Sequence, residues 1–147
     1  MYKKFIIMLS ISFVIMYAVM FLNVYSFDHI YLSATRFYMT LLMVTPMAVV
    51  MLLMMKKMYP NKAYNSIIIA SSVGVFILSL WFLRSQVFIK DEGYMKAMIP
   101  HHSSAILTSK NAEINDPEVR KLADEIIKAQ EEEIAEMKAL LEKLDKK

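Results

Sequence analysis

Three stretches of this chain run for most of a membrane's thickness without a charged side chain: Phe5 to Leu22, Phe37 to Met55 and Ser66 to Leu83. About 20 residues of helix cross a hydrocarbon core, and slightly shorter runs suffice. Lipid offers backbone groups no hydrogen-bond partner, so an isolated apolar run must satisfy its own and fold as a helix. The expected class is therefore all-α. Residues 1–84 form a membrane domain with helices at about 5–25, 37–55 and 66–84, and residues 85–147 form a separate helical domain. Pro46 lies inside the second run, where neighbouring helices can satisfy the backbone groups it frees.

The first run follows Lys3 and Lys4, as in a secretory signal peptide, but Asn23-Val-Tyr-Ser-Phe follows it in place of a small-x-small cleavage site. It is read as a retained span. Lys3, Lys4, Lys56, Lys57 and Lys62 flank the membrane on one side, and Arg36 and Arg84 on the other. That asymmetry puts the N-terminus in the cytoplasm. Three crossings then place the segment after Arg84, and the loop Asn23 to Arg36, on the outer side. The expected location is thus a membrane, multi-pass, with the C-terminal domain outside the cytoplasm.

Charge is divided between the two parts. Residues 1–84 carry five Lys and two Arg against Asp28 alone, while residues 85–147 carry nine Lys and one Arg against thirteen acids. The positive excess belongs to the membrane flanks, so it is not read as a nucleic-acid footprint. There is no cysteine, and fourteen methionines. Met43, Met47, Met51, Met54 and Met58 share one face of the second span at helical spacing. They fit either a thioether ladder or ordinary packing by a flexible apolar residue. Packing is favoured, because no charged residue marks an ion pathway in any span.

The stretch most suggestive of chemistry is Met95-Lys-Ala-Met98-Ile-Pro100-His101-His102. At about 100° per residue, Met95, Met98, His101 and His102 share one helical face. Thioethers suit Cu(I), and imidazole suits copper, zinc, iron or nickel, so a metal site is expected with copper first. The plainer alternative is a helix whose methionines pack and whose histidines are merely polar. Residues 86–113 are expected as one helix, continuing from the third span or starting late or kinking where Pro100 removes an N–H.

Asn115-Asp-Pro-Glu118 marks a restart, with Asp116 as cap and Pro117 in the first position. The second helix, 117 to about 144, has an apolar stripe centred on Met137: Val119, Leu122, Ala123, Ile126, Ile134, Leu140, Leu141 and Leu144. Gln130 and Glu133 fall within that stripe, where an amide or carboxylate needs a partner. Folding back near Asn115 brings His102 level with Lys128 and Met98 with Glu132, so Gln130, Glu133 and Met137 come within side-chain reach of the Met/His face.

The segment Asp91 to Leu144 resembles the domain-of-unknown-function 305 family, a ferritin-like helical domain. The resemblance rests on Met98-Ile99-Pro100-His101-His102, Ala105-Ile106, Pro117-Glu118, Gln130, Glu133-Ile134, Met137 and Leu140-Leu141. The form with three preceding spans is similar to bacterial membrane-anchored members, which implies a bacterial cell membrane with a periplasmic or extracellular C-terminal domain. Thr108 stands where members often carry Met, and Leu140 where some carry Trp. The resemblance implies copper handling outside the cytoplasm, with Met98, His101, His102 and Met137 as ligands and Glu133 and Gln130 close by. Met95 is a secondary candidate.

Enzymatic readings find little support. A ferritin-like di-iron centre needs several inward glutamates and Glu-x-x-His motifs, and none of the latter occurs. Asp28 and His29 form a small pair without an evident nucleophile. Two functions are thus expected: a membrane-anchored protein that buffers or hands on copper, probed by metal content, or a helical assembly module. A two-helix hairpin buries little core alone, so a homodimer completing a four-helix bundle is expected. The alternative is a hairpin resting on the Asn23 to Arg36 loop.

Overall fold

The computed structural model describes residues 1–146; Lys147, the last residue of the expected C-terminal domain, lies outside them. Among the described residues there are five α-helices, one short 3-10 turn and no strand. Helices α1 (Tyr2–Val19), α2 (Ala34–Met54) and α3 (Lys62–Ser85) are each long and apolar enough to cross a membrane. Helix α1 buries only Phe5, while Ile6, Ile11, Val14 and Ile15 face outward. A helix apolar on all sides with so little buried calls for an apolar solvent. The first helix ends at Val19, short of the expected residue 25.

The chain divides into two compact units: Met1–Met20 with Thr35–Phe88, and Phe21–Ala34 with the segment from Ile89 onward. Phe21–Ala34, which falls within the expected 1–84 domain, packs with the C-terminal helices, where its polar side chains find partners.

In the first unit, Phe5, Ala48, Leu52 and Tyr59 form the core, with Tyr2 and Met51 packed on it. Tyr2 Oη donates to Asn65 Oδ1 at 2.9 Å, and Asn61 caps α3 through the Tyr64 amide at 3.1 Å. Helix α2 continues through Pro46. One residue earlier, Thr45 Oγ1 donates to the Leu41 carbonyl at 2.9 Å, a local bond typical of hydroxyls in apolar helices. Arg36 donates to the Met20 carbonyl just past the end of α1. Of the second-span methionines, Met39, Met43 and Met54 are exposed and Met51 packs inward, so they divide between surface and core.

Helix α3 stops at Gln86, which is left-handed (φ 50°, ψ 39°), and Phe88 is also at positive φ. The expected helix over 86–113 therefore begins later. Helix α4 (Asp91–Asn111) starts after an extended Lys90, with Asp91 and Glu92 in its first turn, where carboxylates complement the N-terminal dipole. It runs unbroken through Pro100, whose ring is fully buried beside Ile99. A proline inside a helix costs about 3 kcal/mol; burial of this apolar ring offsets part of that.

Helix α5 (Pro117–Asp145) is capped by Asp116, whose Oδ1 accepts from the Glu118 and Val119 amides at 2.9 and 3.0 Å. Helices α4 and α5 form a hairpin around Met95, Ile99, Ile106, Ile134, Met137 and Leu141, with Tyr31, Met98 and Ile127 packed against it. Only half of the α5 stripe is used. Ala123, Ile134, Met137 and Leu141 are buried, while Leu122 (56 % exposed), Val119, Ile126, Leu140 and Leu144 are not. The stripe is wider than one partner helix covers.

The segment before α2 forms a third layer on this hairpin. Asn23 Nδ2 donates to Ser104 Oγ at 2.8 Å, the Tyr25 amide donates to Ser103 Oγ at 2.7 Å, and Lys138 pairs with Asp28. Lys110 lies 4.1 Å from the Tyr25 ring centroid, a cation–π contact, and bonds Glu131 at 2.9 Å. This layer gives the hairpin a partner within the chain.

Candidate metal centre

Met95, Met98 and His102 stand at i, i+3 and i+7 on α4, and so line one face. Opposite them on α5 stand Glu133, Met137, Leu140 and Leu144, at i, i+4, i+7 and i+11. Between the two rows lies a cleft of about 620 Å³, with Asp91, Tyr94, Glu136 and Lys143 at its edges. Met95, Met137 and His102 are buried, and Met98 is half-buried.

His102 is the polar centre of this cleft. Its Nε2 lies 2.6 Å from Glu133 Oε2. Its Nδ1 is shielded from solvent and has no hydrogen-bond partner. The Glu133 side chain is 54 % exposed, so the carboxylate reaches inward from the rim. The run Glu131-Glu132-Glu133 is sorted by rotation: Glu131 bonds Lys110, Glu132 faces Lys128 at 4.0 Å, and Glu133 meets His102. The carboxylate that reaches His102 thus comes from more than a turn beyond Lys128, the residue expected opposite it.

The expected site residues separate into two groups. Met95, Met98, His102, Glu133 and Met137 line one cleft. His101 and Gln130 do not. His101 is exposed, with its ring centroid 6.0 Å from that of His102, and Gln130 is half-buried. One position moves a side chain about 100° around a helix, enough to take His101 out of the cleft. Among the described residues no three His, Asp or Glu side chains converge on one point. The cleft lining brings together one imidazole and three thioethers, side chains whose donor atoms fit a soft cation such as Cu(I).

A second polar cluster joins the Phe21–Ala34 segment to α4 and α5. His29 Nδ1 lies 2.9 Å from Ser103 Oγ, and His29 Nε2 lies 3.7 Å from Asp28 Oδ2. Serine, histidine and aspartate in a row invite comparison with a nucleophilic triad. Ser103, however, is 0 % exposed and its oxygen already accepts the Tyr25 amide. The contact with His29 Nδ1 ties a second residue of the same segment to this hydroxyl, so the group acts as a fastener. The Lys138 hydrogen bond, with help from Ser26, holds the Asp28 carboxyl well below the usual carboxylate range. Burial, then the charge of Lys138, pushes His29 below its ordinary value, against the opposing pull of Asp28. Sequence reasoning missed Ser103, Asn23, Tyr25 and Tyr31 in this role. The paired Ser103-Ser104 directly after the two histidines, and the polar and aromatic residues of 23–31, were the available signals.

The fold and site define a helical protein with three candidate membrane spans and a Met/His-lined hairpin. Residues 91–147 match the family described as "Domain of unknown function (DUF305)", and the chain belongs to that family. It is also similar to "Uncharacterized protein L153" of Acanthamoeba polyphaga mimivirus, 38% identical over 119 residues, covering 80% of this chain and 76% of that protein. That alignment is longer than the family match, so the likeness extends into the part before Asp91. No solved structure matches the chain.

Proposed function

We propose that this protein is anchored in a membrane by α1, α2 and α3 and holds copper as Cu(I) in the α4–α5 cleft, to buffer it or hand it on. The observation that carries this reading is the His102 ring. Its Nδ1 is buried without a partner in the wall of a cleft that also contains Met95, Met98 and Met137. A buried polar atom without a partner calls for an explanation, and a soft cation bound with thioethers provides one. In this reading Met95, Met98, His102 and Met137 hold the ion, and His101 and Gln130 stand outside the ligand set. Orientation follows the lysine asymmetry: N-terminus cytoplasmic, hairpin outside. The packing of Phe21–Ala34 with the hairpin supports three crossings, which put both segments on one side of the membrane.

The test is a Cu(I) titration of the full chain in detergent against a competing Cu(I) chelator. The wild type is expected to compete for the ion, and His102→Ala and a Met98→Leu/Met137→Leu pair to lose at least tenfold in affinity. Equal affinity in all three, or no uptake by the wild type, rejects the site and favours a purely structural hairpin.

A further inference from the structure

We infer that Glu133 is a positioning residue, which selects the ring nitrogen of His102 that faces a metal. This rests on the cleft being a metal site; the tautomer it predicts exists without any metal. The Glu133 carboxylate accepts hydrogen bonds and cannot donate them when ionised. At 2.6 Å from Nε2 it therefore requires a hydrogen on Nε2. A ring with hydrogen on Nε2 and none on Nδ1 presents a bare lone pair at Nδ1. That matches the environment, because Nδ1 is buried without an acceptor, and an N–H there would have no partner.

A ligating histidine commonly donates its other ring N–H to a carboxylate, which fixes tautomer and ring orientation and raises ligand basicity. The geometry points to Nδ1 as the donor atom and removes Glu133 from the list of direct ligands. The carboxylate arrives from the exposed rim and occupies Nε2, which leaves Nδ1 as the ring nitrogen without a protein partner in a cleft that Met95, Met98 and Met137 also line.

The test uses the full chain, ¹⁵N-labelled at histidine, in detergent. With only three histidines, two-bond proton–nitrogen correlations resolve each ring. In the metal-free protein, His102 is expected to carry its proton on Nε2. Glu133→Gln, which keeps a carbonyl oxygen as acceptor, is expected to retain that tautomer, and Glu133→Ala to lose it. On adding Cu(I), the shift is expected at Nδ1. Affinity should fall about 10- to 100-fold in Glu133→Ala and stay near wild type in Glu133→Gln. A metal-free ring protonated at Nδ1, or a Cu(I) shift at Nε2, overturns the assignment. So does a Glu133→Gln variant that keeps the tautomer and loses binding, because that marks the carboxylate as a ligand. Absence of Cu(I) uptake overturns the copper reading and the ligand role together, while the metal-free spectrum still decides whether Glu133 sets the tautomer.

Discussion

Replacing Ser103 by alanine isolates what fastens the Phe21–Ala34 segment to the hairpin. Ser103 Oγ accepts the Tyr25 amide at 2.7 Å and meets His29 Nδ1 at 2.9 Å. Both bonds vanish in Ser103→Ala, and no other side chain changes. A net contribution of about 1 kcal/mol for each bond gives a loss of about 2 kcal/mol in docking, or roughly 30-fold in the docking equilibrium, since 1.4 kcal/mol is tenfold. The Asn23–Ser104 and Asp28–Lys138 contacts and the packing of Tyr31 remain, so the hairpin itself should stay folded. Hydrogen exchange of the full chain reads this directly. The amides of Tyr25 to Ile30 should exchange about 30-fold faster, while those of Ile99 and Ile134 keep their protection. Unchanged protection at Tyr25 would refute the account of Ser103 as the central fastener. Equal loss across α4 and α5 would show that the hydroxyl supports the hairpin core instead.

Four shorter predictions follow from the same contacts. His29 and Asp28 both have folded values below their ordinary ones, so each stabilises docking at pH above its unfolded value and loses that contribution as pH falls; the segment should loosen first as pH drops below the ordinary histidine value near 6.5, and exchange at Tyr25 that is flat from pH 7 to 5 would contradict this. Asp116→Ala removes the side-chain acceptor of two amides at the start of α5 and should cost about 1 kcal/mol, read by denaturant unfolding; an unchanged midpoint refutes it. Reporter fusions after the last residue should be active only when the reporter works outside the cytoplasm, and a signal from a cytoplasmic reporter reverses the proposed orientation. If the exposed half of the α5 stripe pairs two copies, single cysteines at Ile126 and Leu140 should crosslink in membranes; monomer alone, beside a control pair that does crosslink, removes that dimer.

The sequence by itself determined whatever depends on neighbours within a few residues. The three apolar runs were legible because an uncharged stretch of that length has few solvents open to it. The restart at Asp116-Pro117 was legible because a cap is made by its own next turn. The Met/His face was legible as a periodicity, and so was the rotation that sets Glu133 apart from Glu131 and Glu132. Only the tertiary structure decided which half of the α5 stripe is buried and that His102, not its neighbour His101, enters the cleft. It also decided that Pro100 sits inside a helix starting at Asp91. The segment around His29 was beyond local reasoning altogether, since its partner Ser103 is 74 residues away. Each of these depends on which surfaces meet after the chain folds back, and burial at such contacts outweighs the local preferences that a sequence displays.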